Sequence, residues 1–189
     1  MNRWKWLCCI ALIGATACTH GAITPDQVQG PLSWGEAHSV TQLRHLWFAG
    51  QPDESALERA KAEGIRVVIN LRDPSEQEWD EQAAAEGLGM TYYNVPIRGG
   101  QPFERAAFER IETIVEQHHG ESTLVHCSSS NRAGAWLATH LVRRHGMPVE
   151  DALSVGRRAG ITKEAMEKNV RRYLEETGDL EETADRDSR

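Results

Sequence analysis

Positive charge is scarce in this sequence. Its 189 residues include 21 Lys and Arg against 28 Asp and Glu, which gives a formal net charge of −7. Nucleic-acid-binding domains usually carry a basic stripe or patch, so this balance argues against a nucleic-acid partner. Apolar residues make up 40% of the chain, enough for the packed core of one domain of ordinary size.

Long apolar runs are also missing. The run at residues 7–15 follows Arg3 and Lys5 and is too short to span a bilayer. Small residues then lead to Cys18, an order that resembles a bacterial lipoprotein signal. We therefore predict a signal peptide at residues 1–17, lipidation of Cys18, and an exported periplasmic protein held at the outer membrane by its lipid anchor. An ordinary cleaved signal and an uncleaved N-terminal anchor are the alternatives.

Cysteine is equally scarce, with four in the chain. Cys8 and Cys9 would leave with the signal peptide and Cys18 would carry the lipid, so Cys127 would be the single free thiol of the mature protein. Unpaired thiols are exposed to oxidation and exchange in an oxidising compartment. A solitary thiol there indicates chemistry at Cys127, the alternative being an inert cysteine buried as a small apolar side chain.

Composition divides the rest of the chain into three parts. Residues 18–44 are rich in Gly, Pro, Ser and His and are predicted to be a tether, whereas residues 176–189 are predicted to be an acidic disordered tail. Residues 45–175 alternate strand and helix patterns and are predicted to form the folded domain. Among the helices we expect one over residues 75–86. The expected strands lie at residues 46–49, 67–69, 91–95 and 123–126.

This alternation predicts an α/β domain of three layers, with a central, mostly parallel sheet of four to five strands flanked by helices. Ligands of such sheets bind beyond the carboxyl ends of the strands. Cys127 lies at one of these ends, directly after the last predicted strand. The topology therefore places the solitary thiol where a binding site is expected.

The segment 126–134, which reads HCSSSNRAG, runs from that strand into a helix. Backbone N–H groups of such a loop converge on one point, and the helix N-terminus adds partial positive charge. This arrangement favours bound anions and a thiolate at Cys127. Arg132 offers a planar fork of donors that suits two oxygens of a phosphate or sulfate. The loop thus combines the parts needed for nucleophilic attack on phosphorus or sulfur.

Three stretches carry a family resemblance: FAGQP at 48–52, VINLR at 68–72 and HCSSSNR at 126–132. The third resembles the signature of cysteine-dependent protein tyrosine and dual-specificity phosphatases. Together the three resemble the bacterial phosphatase-like family found fused to beta-lactamase-like hydrolases. The resemblance implies the phosphatase fold and hydrolysis of phosphate monoesters through a phosphocysteine at Cys127, with no metal or other cofactor. It also implies that the partner is a phosphorylated protein or a small aryl phosphate.

The same resemblance implies the residues of the site. Cys127 and Arg132 would be catalytic, and Arg132 would also contact substrate. The family usually places an acidic proton donor in the loop after the third strand, but residues 96–102 contain no carboxylate. Asp73 is therefore our candidate for the general acid. The remaining substrate-binding residues implied by the loop are Ser128, Ser129, Ser130 and Asn131.

Departures from the family pattern leave two other functions open. Four residues separate Cys127 from Arg132, whereas ordinary tyrosine phosphatases have five, and this shorter spacing also resembles the active loop of rhodanese-type sulfurtransferases. A sulfurtransferase would carry a persulfide on Cys127. Ser130 stands where the family has glycine, and Ala133 stands where it has a hydroxyl residue. These two departures favour a non-catalytic module that binds phosphate.

Overall fold

The computed structural model describes residues 23–180. The predicted signal peptide and the lipidation site at Cys18 lie outside these residues, as do residues 181–189 of the predicted tail, and all of them remain predictions. Within residues 23–180, no helix is both long enough and apolar enough to cross a membrane.

Six strands and six helices make up this part of the chain. The strands are β1 (Gln29–Trp34), β2 (Ala37–Leu43), β3 (Leu46–Ala49), β4 (Ile65–Asn70), β5 (Thr91–Asn94) and β6 (Ser122–His126). The helices are α1 (Glu54–Ala62), α2 (Glu81–Gly87), α3 (Arg105–Gln117), α4 (Asn131–His145), α5 (Val149–Arg158) and α6 (Glu164–Thr177).

The strands form one mixed sheet in the order β1-β2-β3-β6-β4-β5. The pairs β3–β6, β6–β4 and β4–β5 are parallel, whereas β1–β2 and β2–β3 are antiparallel. One layer, α1 and α2, packs on one face, and the helices from α3 onward pack on the other. The predicted three-layer α/β architecture is therefore confirmed, with six strands where four to five were expected.

The two additional strands lie within residues 18–44, which were predicted to be a tether. From Gln29 onward this segment is the hairpin β1–β2, and β2 buries Ala37, Val40 and Leu43. Gly and Ser are frequent both in flexible linkers and in hairpin turns, so composition alone did not separate the two. Gly35 has φ +53° at the turn, a conformation that suits glycine.

The prediction of one helix over residues 75–86 is also wrong, because this segment forms two separate elements. A 3₁₀ turn covers Pro74–Glu76, and α2 begins at Glu81. Each has its own N-cap: the Asp73 carboxylate accepts a hydrogen bond from the backbone N–H of Ser75, and Asp80 accepts one from that of Ala83. The break places residues 76–80 beside the carboxyl edge of the sheet.

Helix α4 is the centre of the larger core. Its side chains from Asn131 to Thr139 are all buried, and Trp136 and Leu137 are fully enclosed. Helix α5 packs so closely against it that a Cβ atom added at Gly134 would lie 2.8 Å from the carbonyl oxygen of Gly156. Because α4 is fixed on all sides, the short loop that leads into it has a defined position.

Candidate active site

The loop between β6 and α4 is anchored at both ends. The backbone N–H of Cys127 donates to the carbonyl of Ala49 (3.3 Å), and that of Gln51 donates to the carbonyl of Ser128 (3.3 Å). Ser130 has φ +61°, in the left-handed region, and its hydroxyl donates to the carbonyl of Ala159 (2.8 Å). A side-chain hydrogen bond thus stabilises a turn at which glycine is usual in the family.

Cys127 and Arg132 lie together at the start of α4. Both are buried, with 1% and 6% of their surface exposed, and Cys127 forms no disulfide. Burial alone would lower the pKa of Arg132, but its hydrogen bonds to the Glu76 carboxylate and the nearby Cys127 raise it. The structure thus brings these two predicted catalytic residues to the point where β6 passes into α4. The arrangement sets a sulfur nucleophile against a guanidinium that can bind an oxyanion.

Glu76 is the residue of the site that the sequence analysis missed. Its carboxylate accepts two hydrogen bonds from Arg132, from Nη1 to Oε1 (2.8 Å) and from Nη2 to Oε2 (2.7 Å). The hydroxyl of Ser128 donates to Oε2 (3.1 Å). The hydrogen bond from Arg132 is the main reason that the pKa of Glu76 is lowered to about 2. A bidentate carboxylate therefore holds the two terminal nitrogens of the arginine.

This pair gives a pH-dependent contribution to stability. A carboxyl with a lowered folded-state pKa stabilises the fold fully above its unfolded pKa, about 4.5, and loses that contribution as the pH falls toward 2. We expect Glu76→Gln to be less stable than wild type at pH 7 and this difference to shrink between pH 5 and pH 2. Urea midpoints across that range measure the effect. Glu58→Gln, an exposed carboxylate without an ion pair in residues 23–180, should show no such trend, and a constant difference for Glu76→Gln would contradict the assignment.

The loop's other predicted binding residues divide into two groups. Ser128 and Ser129 are exposed, and the hydroxyl of Ser128 accepts from Arg132 Nη2 (2.8 Å). Ser130 and Asn131 are buried, and their side chains face away from Arg132 toward the segment between α5 and α6. Asn131 Oδ1 accepts from the backbone N–H of Thr162 (2.9 Å). Ser130 and Asn131 can therefore serve an anion only through their backbone N–H groups.

A buried polar network lies beneath the loop. His126 Nε2 is 2.6 Å from Glu81 Oε1, and both side chains are almost completely enclosed. Glu81 Oε2 also accepts from Gln51 Nε2 (2.6 Å) and from Asn70 Nδ2 (3.3 Å). The network joins the ends of β3, β4 and β6 to the first residue of α2. Since these strand ends carry the loop, the network fixes the position of Cys127.

Asp73 has contacts typical of a turn cap. Its carboxylate accepts from the hydroxyl of Ser75 (2.7 Å) and lies 3.7 Å from Arg98 Nε. The hydrogen bonds from Ser75, with a smaller contribution from Arg98, lower the pKa of Asp73. A general acid must hold a proton at the working pH, and this carboxyl is ionised there. The structure therefore gives no support to the sequence prediction that Asp73 is the acid.

A cleft of about 410 Å³ adjoins the loop on the side of the hairpin β1–β2. Gln51, Arg72 and Ser128 line it where it meets the loop. Arg72 is held in place by the side-chain oxygen of Gln51 and the carbonyl of Glu76. The other lining residues are Glu36, His38, Pro52, Asp53, Glu54, Glu78 and Trp79.

A known protein family matches the part of the chain that contains this site. The family model Tc-R-P, described as polymorphic toxin system, DSP-PTPase phosphatase, matches residues 48–147. This range contains Cys127, Arg132 and Glu76. No curated protein matches the sequence.

Solved structures share the fold at low sequence identity. TpbA of P. aeruginosa superposes with a TM-score of 0.64 at 14% identity, covering 85% of this chain and 98% of that chain. A variant of TpbA in complex with pTyr gives a TM-score of 0.61 at 13% identity, over 87% of this chain and 94% of that one. A DUF442 protein of Shewanella putrefaciens CN-32 gives 0.59 at 22% identity, over 85% and 90%. The expected phosphatase-like fold is thereby confirmed.

Proposed function

The chain belongs to the DSP-PTPase phosphatases of the Tc-R-P family, and from this we propose that it hydrolyses phosphate monoesters through a phosphocysteine formed on Cys127. The observation that carries the proposal is the position of Cys127 and Arg132, both buried where β6 passes into the N-terminus of α4. This geometry provides a nucleophile, a fork of donors and the positive end of a helix at one point.

In the first step the Cys127 thiolate attacks phosphorus. The S–P bond forms as the bond from phosphorus to the ester oxygen breaks, and that oxygen leaves with the electron pair. Arg132 and the loop N–H groups bind the equatorial oxygens, on which negative charge is spread during the transfer. In the second step water attacks phosphorus and the S–P bond breaks. Inorganic phosphate and the thiolate are released, and the proton of the water passes to solvent.

The leaving group determines which esters fit this site. An alkoxide needs a proton as it leaves, whereas a phenolate leaves far more readily without one. Residues 96–102 supply no carboxylate, and the carboxyls of Asp73 and Glu76 both have a lowered pKa. We therefore propose aryl phosphates, above all phosphotyrosine, as the substrates. The pTyr complex of the TpbA variant supports this substrate class.

The role of Asp73 can be tested directly. We expect Asp73→Asn to keep kcat for phenyl phosphate within about threefold of wild type, because asparagine also caps turns and the carboxylate holds no proton to donate. The measurement is the pH profile of kcat. Loss of an alkaline limb in Asp73→Asn, with a drop of about a hundredfold, would identify Asp73 as the acid after all.

The proposed chemistry is tested by trapping the intermediate. Rapid acid quench of the protein with p-nitrophenyl phosphate, followed by mass spectrometry, should show one phosphoryl group on Cys127. A thiosulfate–cyanide assay on the same preparation should give no thiocyanate. Thiocyanate formation without phosphate release would support the sulfurtransferase instead, and phosphate binding without turnover of any substrate would support the binding module.

A further inference from the structure

The cleft beside the loop offers space for the leaving group of a bound substrate. Ser128 lines the cleft and also contacts the Arg132 guanidinium, so the cleft opens directly beside the phosphoryl site. Arg72 forms its inner end and is 9% exposed. The cleft thus leads from Arg72, beside the loop, toward the hairpin β1–β2.

One wall of the cleft is apolar. Pro52 is buried at the start of α1, and Trp79 is half-buried against the smaller core cluster. Of these two side chains, Trp79 keeps part of its surface exposed to the cleft, where an aromatic ring can pack on it. The indole face also attracts cations, because its quadrupole places negative potential above the ring.

The outer rim of the cleft is acidic. Glu36 on the hairpin turn, Glu54 on α1 and Glu78 beside Trp79 are exposed and form no ion pair within the described part of the chain. The hairpin turn is fixed there, because the backbone N–H of Glu36 donates to the Asp53 carboxylate that caps α1. Unpaired carboxylates oppose a dianionic phosphate unless other parts of the substrate carry positive charge.

We propose that this cleft selects phosphotyrosine segments with Lys or Arg next to the phosphorylated residue, an inference that rests on the proposed function. The tyrosyl ring packs on the exposed part of Trp79, while the flanking cations pair with Glu36, Glu54 and Glu78. The acidic rim rejects phosphotyrosine segments flanked by Asp or Glu, because like charges would then face each other at the rim.

Matched phosphopeptides test the selection. Two pentapeptides, Lys-Lys-pTyr-Lys-Lys and Glu-Glu-pTyr-Glu-Glu with blocked ends, are titrated against the full chain carrying Cys127→Ser, so that affinity is read without turnover. We expect the basic peptide to bind about tenfold or more tightly at low salt, with a smaller ratio at 0.5 M NaCl. In Glu36→Gln/Glu54→Gln/Glu78→Gln, added to Cys127→Ser, the ratio should fall to about one to two.

The control removes the same number of charges elsewhere. Asp26→Asn/Glu104→Gln/Glu175→Gln changes three exposed carboxylates that do not line the cleft, and it should keep the wild-type ratio. Equal affinities for the two peptides, or an equal loss of the ratio in the control, would overturn the inference. Failure of the proposed function is a separate result, because it appears as absent hydrolysis of p-nitrophenyl phosphate by the chain with Cys127 intact.

Discussion

Cys127→Ser is expected to reduce hydrolysis of p-nitrophenyl phosphate by about 10⁴-fold or more while leaving the fold intact. A serine hydroxyl at this position stays protonated at neutral pH and is a far weaker nucleophile than the sulfur of cysteine. Every later step of the reaction requires the S–P bond, so no other residue compensates for the missing sulfur.

We expect the Cys127→Ser variant to fold, because serine is only slightly smaller than cysteine and backbone hydrogen bonds hold the loop in place. Far-UV circular dichroism and the urea midpoint check this, and we expect a loss of stability of about 1–2 kcal/mol for a hydroxyl in a largely apolar site. Residual turnover within tenfold of wild type, in a folded variant, would mean that the sulfur is not the nucleophile.

Arg132→Lys is expected to lower kcat/KM for the same substrate by about 10²- to 10³-fold. Lysine keeps the charge but replaces the planar fork with a single ammonium group, which cannot bind two phosphate oxygens at once. The change also removes donors from Glu76 and from the carbonyl of Ile97, which accepts from Arg132 Nη1 at 2.8 Å. A loss of stability is therefore expected together with the loss of activity.

Stability and catalysis are separated by a matched control. Arg171 also binds a carboxylate, that of Glu150, through both terminal nitrogens, but this pair lies on the exposed surface. Arg171→Lys is therefore the control. It should leave kcat/KM unchanged. If Arg132→Lys, assayed well below its own melting temperature, retained wild-type kcat/KM, then bidentate binding by this arginine would not contribute to the reaction.

The features predicted correctly from sequence are those that depend on short-range pattern. The β-branched run at 67–69 is a local signal for a strand, and the segment 126–134 indicates a strand, a loop and a helix from its own sequence. The mostly parallel pairing of β3, β4, β5 and β6 followed from that alternation, whereas their order in the sheet did not. Cys127 could therefore be placed at the carboxyl edge of the sheet without coordinates.

The features that were missed depend on contacts between distant segments. Glu76 is 56 residues from Arg132 in sequence. It lies in a segment whose sequence predicts one continuous helix, whereas in the structure Asp80 caps a second, separate helix there. The hairpin β1–β2 was not predicted because its Gly- and Ser-rich composition is also typical of linkers. Asp73 illustrates the converse case: its position after a strand suggested chemistry, but Ser75 two residues later makes it a cap.

The hairpin β1–β2 adds a carboxylate to the cleft from outside the segment that this protein shares with its family. The matched family segment begins at Phe48, after the hairpin, and it carries the nucleophile, the arginine and the loop. Glu36 and His38, by contrast, enter the cleft from the hairpin. Of the three rim carboxylates, Glu36 alone lies outside the matched segment, whereas Glu54 and Glu78 lie within it. Exchanging residues 29–43 between relatives should therefore change the part of the substrate preference that depends on Glu36 while conserving the reaction.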